Sequence, residues 1–203
     1  MSHKPHLPSR RSIRLKGYDY AQAGLYFITI CVQDRLFLFG EVHDGVMHLN
    51  DAGRMVEQWY AELENKYPDK RCHEMVVMPN HFHCIIENIS VVRATPCGCP
   101  PTDAHDVLQT DAHVGAPLRG RPMVERGRPR TGATIPDAVD WFKTMTTNAY
   151  IRGVRDNGWP RFNRKLWQRN YYENIIRTPD AYENISNYIV NNPEKWKDDM
   201  FHI

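Results

Sequence analysis

CHEMVVMPNHFHCIIEN, residues 72–88, holds two runs, Cys72 to Met78 and His81 to Asn88, separated only by Pro79 and Asn80. Proline has no N–H to give to a sheet ladder, so the stretch predicts two strand segments around a bend. On the second strand, side chains alternate with a period of two. His81 and His83 therefore point to one side and Phe82 to the other. Two imidazoles on one side can grip a divalent ion, although an isolated His-x-His is more often a pair of ordinary histidines. Pro79 and Asn80 add weight, because they place the pair where a strand enters the sheet and side chains are expected to face solvent rather than core.

Upstream, Leu25 to Gln33 (LYFITICVQ) and Leu36 to Val42 flank Asp34-Arg35 and read as a hairpin. Asp44-Gly45 turns the chain into Val46 to Leu49. Asn50 or Asp51 then caps a helix with Met55, Val56, Trp59 and Leu63 at helical spacing, and Pro68 marks its end. Downstream, about residues 89–134 change to proline, glycine and arginine (CGCPP, GAPLRGRP, ERGRPRTG), which predicts an inserted, mobile loop. A helix is expected from Pro136 to about Gly153, with Ala138, Trp141, Phe142, Met145, Ala149 and Tyr150 on one broad face packed on the sheet. The last helix starts with Thr178 as N-cap and Pro179 at its first position, and stops around Asn191 ahead of Pro193. Strands and helices in this order imply an α+β sandwich: an antiparallel sheet with helices packed on one face and the other face free for a substrate.

The 203 residues, 41% of them hydrophobic, suit one domain with an insertion. No apolar run approaches the roughly eighteen residues that cross a bilayer, and MSHKPHLPSRRSIRLKG carries charge and proline where a signal peptide is apolar, so no membrane partner and a cytoplasmic location are expected. Five cysteines without framework spacing read as unpaired thiols. Cys97, Cys99, His105 and His113 are zinc-type ligands, but their spacing matches no usual finger. The net charge of +2 is small, yet Lys4, Arg10, Arg11, Arg14 and Lys16 form an N-terminal arm with no acidic residue.

A metal needs more than two histidines. Tyr188 and Asn192, in NYIVNNP, lie four residues apart and share a helix face from which both address the imidazole pair. A phenol with an ordinary pKa of about 10 is a poor nucleophile unless a metal makes the phosphorus easier to attack. The competing account makes Ala181, Ile185 and Tyr188 a plain core stripe. For DNA, Arg10, Arg11, Arg14 and Lys16 supply phosphate contacts and Tyr18 and Tyr20 supply rings for stacking, or those tyrosines simply pack. Arg119, Arg121, Arg126, Arg128 and Arg130 of the insertion add phosphate contacts, or belong to an ordinary disordered composition.

In RRSIRLKGYDYAQAGLYFITICVQDRLFLFG, VVMPNHFHCIIEN, WFKTMTTNAYIRG, LWQRNYYENIIR and YIVNNPEKW, the chain resembles REP-associated tyrosine transposases, relatives of the single-tyrosine HUH transposases of small insertion sequences. The likeness covers about residues 9–88 and 135–198. It implies a ferredoxin-like α+β fold with the HUH motif on a sheet strand, and Mg²⁺ or Mn²⁺ held by His81 and His83 with Asn192 as a further ligand. It also implies Tyr188 as nucleophile, in preference to Tyr171 and Tyr172, with Gln168 and Arg169 suited to packing or strand contact. The implied activity is nicking and rejoining of single-stranded DNA beside a REP-like hairpin through a 5′-phosphotyrosine, by a monomer or a homodimer. Two other functions fit the residues: a hairpin-DNA binder without catalysis, and a phosphoesterase that activates water at the histidines.

Overall fold

The structure, a computed structural model, describes residues 17–89 and 132–202. The elements run β1 (Gly24–Cys31), β2 (Gly40–His43), β3 (Val46–Leu49), α1 (Asp51–Lys66), β4 (Lys70–Met78), β5 (His81–Asn88), α2 (Ile135–Asp156), β6 (Tyr172–Ile176) and α3 (Pro179–Val190), with 3-10 turns at Gln33–Arg35 and Trp196–Asp198. Four strands form one antiparallel sheet in the order β4-β5-β1-β6, while β2 and β3 pair separately. With α1 and α2 as the two crossovers, this is the expected ferredoxin-like α+β arrangement.

The proline bend is real: β4 and β5 pair antiparallel across Pro79 and Asn80, with Met78 opposite His81. Alternation along β5 then sorts its side chains. Phe82, Cys84 and Ile86 join Ile28 and Ile30 of β1 in a core closed by α1 and α2, where Phe82 stacks on Phe142 at 5.1 Å and meets Tyr60 edge-on at 5.4 Å. Burying one such aromatic side chain stabilises the fold by roughly 1.5–3 kcal/mol. The opposite face, expected to be free, carries α3, whose Ile189 packs on Ile85 and Ile176 beside Leu25 and Phe27. That placement sets the last helix over the histidine side of β5.

Helix starts follow side-chain chemistry. Asn50 accepts from the Gly53 N–H at the start of α1, and Thr178 from the Ala181 N–H at the start of α3. At α2, Thr134 and Asp137 form a reciprocal capping box, so the helix begins one residue earlier than the proline suggested and continues to Asp156. The stretch from 90 to 131, which holds nearly all of the expected insertion, lies outside the described residues, as does the N-terminal arm.

One expected pairing is not formed. Leu25 to Gln33 and Leu36 to Val42 do not make a hairpin, because β1 pairs with β5 and β6 while β2 pairs with β3. Asp34 and Arg35 adopt left-handed φ values of 58° and 53°, and the Leu38 and Phe39 N–H groups then both donate to the Pro79 carbonyl. Those donors go to the bend instead of to β1.

Candidate active site

His81 and His83 stand on the α3 side of β5 with ring centroids 4.5 Å apart. They were expected to face solvent, but they are only 0% and 1% exposed, because the chain after α3 folds back over them. Phe201 packs against the His81 ring at 4.7 Å and Trp196 at 5.9 Å. Burial first, and the nearby Arg35 charge second, push the His81 pKa down to about 3. Burial also holds His83 well below the usual histidine range, with the proximity of His81 acting in the same direction and Asp199 opposing. Both rings are thus neutral near pH 7, which is the form that ligates a metal.

Hydrogen bonds fix how each ring presents itself. The Asn80 Nδ2 donates to the Phe201 carbonyl at 2.8 Å, which leaves its Oδ1 to accept from His81 Nδ1–H at 2.8 Å. The Nε2 of His81 then carries a lone pair, and it is buried without a hydrogen-bond partner. His83 Nδ1 meets Thr29 Oγ1 at 2.7 Å, and its Nε2 lies 3.4 Å from the Tyr188 hydroxyl. Support of one ring nitrogen while the other stays available is the usual arrangement behind a metal-bound imidazole.

Tyr188 is 37% exposed and meets His83 at a centroid distance of 5.3 Å and Phe27 at 6.1 Å. Its pKa is raised by burial and then by the negative charge of Asp199, against a hydrogen bond from Asn192. Asn192 lies just past the end of α3, yet its N–H still donates to the Ile189 carbonyl at 3.3 Å, and its side chain is buried. The Nδ2 of Asn192 donates to Asp199 Oδ2 at 3.1 Å, leaving Oδ1 buried and without a hydrogen-bond partner.

Asp199 is the residue that sequence reasoning missed. It follows the 3-10 turn Trp196–Asp198, and its carboxylate lies with one nitrogen of each histidine in a group whose ligand atoms are all within 4.8 Å of one another. No spacing in KWKDDMF announces this, since only the fold-back of the chain brings Asp199 to β5. Two imidazole nitrogens and a carboxylate oxygen make a donor set suited to a divalent cation. The buried orphan atoms His81 Nε2 and Asn192 Oδ1 are groups for which a cation would supply the missing partner.

Other singled-out residues fall elsewhere. Tyr20 is a correction: its ring is 7% exposed in the core, against Tyr18 at 4.9 Å and Tyr26 at 6.1 Å, so its face is not open to a base. Tyr18 is half-buried, its hydroxyl 3.2 Å from that of Tyr26. Tyr171 is buried, whereas Tyr172 is 53% exposed on β6 opposite Thr29. Gln168 donates through its backbone to Cys31 O at 2.9 Å, and Arg169 is exposed. Arg10, Arg11, Arg14, Lys16, Cys97, Cys99, His105, His113 and the arginines from 119 to 130 lie outside the described residues.

No protein-family model matches the chain. An uncharacterized protein of Haemophilus influenzae is 39% identical over 197 residues, spanning 96% of this chain and 93% of the relative. Among solved structures, a REP-associated tyrosine transposase bound to a REP hairpin aligns with a TM-score of 0.50 and 18% identity, covering 94% of this chain and 74% of that one. At that identity the likeness shows a shared fold. Among the described residues, no helix is long and apolar enough to cross a membrane.

Proposed function

We propose, for a chain that belongs to one family with the Haemophilus influenzae protein and has the fold of a REP-associated tyrosine transposase, that it is a metal-dependent endonuclease and strand transferase acting on single-stranded DNA beside a REP-type hairpin. The observation that carries this reading is the Tyr188 hydroxyl 3.4 Å from His83 Nε2, at the edge of a group of metal-type ligands and still open to solvent. In this reading His81, His83, Asn192 and Asp199 hold Mg²⁺ or Mn²⁺. When bound, the ion polarises the scissile phosphate and offsets charge that develops on its oxygens.

The chain's own groups do the rest. Tyr188 attacks the phosphorus, the bond from phosphorus to the 3′ oxygen breaks, and the 5′ phosphate stays on the tyrosine as a phosphodiester. The proton lost by the phenol is balanced by the one gained at the 3′ oxygen. Attack by a 3′-OH on the phosphotyrosine reverses the step and rejoins DNA. All of these groups come from one chain, so the proposed step needs no residue from a second copy.

An oligonucleotide with a hairpin and a single-stranded flank, incubated with Mn²⁺ and run on a denaturing gel, tests the proposal. A protein–DNA adduct that disappears with EDTA is expected. Cleavage without an adduct would instead favour water activation at the histidines, and binding without cleavage a hairpin-binding protein.

Asn80 sets the tautomer of His81 in this scheme. Asn80→Ala should lower Mn²⁺ affinity by on the order of 10- to 100-fold in calorimetry, the usual effect of removing a group that orients a ligand. Asn80→Asp keeps the acceptor and should lose less. Equal Mn²⁺ affinity in Asn80→Ala and the parent would remove Asn80 from this role.

A further inference from the structure

Across the sheet from the histidines, a groove of about 560 Å³ opens between α2 and residues 164–169. Arg164, Lys165 and Arg169 line it and are exposed, and none of the three has a carboxylate partner among the described residues. Asp140 is the acidic residue of its lining. The wall is built, not loose: Lys143 Nζ reaches from α2 to the carbonyls of Gln168 and Arg169 at 2.7 and 3.0 Å. Arg164 is held at a left-handed φ of 61°, a conformation that costs a non-glycine residue energy.

This groove leads to the site. The Gln168 N–H donates to Cys31 O at 2.9 Å, and Trp167 bridges to Val32, so the segment is pinned to the end of β1, where Cys31 stands opposite His81. Three residues beyond Arg169, Tyr172 stands opposite Thr29, whose hydroxyl supports His83. Three residues of extended chain cover roughly 10 Å. Pairing opposite Thr29 puts Tyr172 on the same face of the sheet as His83. It belongs to the edge strand β6, is 53% exposed, and its ring lies 6.1 Å from Phe201, the residue that covers His81.

We infer that the groove holds the phosphate backbone of the DNA through Arg164, Lys165 and Arg169, and that a base of the strand stacks on Tyr172 as it crosses the β6 edge toward Tyr188. Cations lining one groove with no carboxylate partners among the described residues suit phosphates, and an exposed aromatic between them and the reacting group suits an unpaired base. The inference rests on the nuclease reading for its direction, but its test does not need catalysis.

The experiment is fluorescence anisotropy of a labelled hairpin oligonucleotide with a single-stranded flank, in EDTA, over a series of salt concentrations. A variant carrying Arg164→Gln, Lys165→Gln and Arg169→Gln should bind about 10- to 100-fold more weakly near 0.1 M salt, with a salt slope smaller by roughly two to three. Tyr172→Ala should lose on the order of 10-fold with little change of slope, as expected for a stacking contact. Lys66→Gln with Arg71→Gln, on exposed residues outside the groove, should stay within about twofold of the parent. Parent-like affinity and slope in the triple variant would overturn the groove assignment, and a parent that still forms the Mn²⁺-dependent adduct would leave the nuclease reading standing. Loss of binding in the triple variant beside a parent that forms no adduct would support the groove and sink the nuclease.

Discussion

Tyr188→Phe should abolish the covalent adduct, a fall of at least on the order of 10³-fold, since removing a nucleophile removes the step and not merely a contact. The substitution deletes one hydroxyl that is 3.4 Å from His83 Nε2 and keeps the ring that meets Phe27 and His83. Hairpin affinity and melting temperature should therefore match the parent. Tyr171→Phe and Tyr172→Phe are the paired controls, and both should still form the adduct. An adduct that survives in Tyr188→Phe and disappears in either control would transfer the nucleophile to that residue.

The second large effect concerns the imidazoles. His83→Ala should reduce Mn²⁺ affinity by more than about 100-fold, beyond the loss seen when only a supporting group is removed, and DNA cleavage should go with it. A readout that involves no DNA is available, because a ligand bound to the native state stabilises it by about 2.7 kcal/mol when present at 100 times its dissociation constant. The parent's unfolding should shift upward with Mn²⁺, and that of His83→Ala should not. Removing the ring also leaves the Thr29 hydroxyl without its buried partner, so some loss of stability without metal is expected. His83→Gln, which fills more of the space, separates that cost from metal binding. An Mn²⁺-dependent shift as large in both variants as in the parent would mean that the ion sits elsewhere.

The parts of the fold that the sequence disclosed are those decided locally. Pro79-Asn80 ends one strand and starts the next, Asn50 and Thr178 cap helices through their own side chains, and alternation in His81-Phe82-His83 assigns each ring to a face. The pairing of β1 was misjudged because a polar dipeptide between two apolar runs looks the same whether the strands join each other or part. Here the left-handed Asp34 and Arg35 and two donors to the Pro79 carbonyl decide for parting, and none of these is visible in composition. The histidines were expected at the surface for a similar reason, since their cover comes from Trp196 and Phe201, more than a hundred residues later. Asp199 sits in a turn with no periodicity, so its approach to the imidazoles is purely a matter of tertiary structure. Tyr20 shows the reverse error, an aromatic next to a basic arm that spends its ring on the core.

Because one strand presents His81 and His83 on one face and Phe82 on the other, the length of this stretch matters as much as its letters. A single-residue insertion or deletion between Pro79 and His81 would flip the register of the strand that follows, sending imidazoles among the aliphatic side chains and a phenyl ring out beneath α3. Such a chain would lose its interior and its chemistry in one event. Relatives that diverge widely elsewhere should therefore show no gap here.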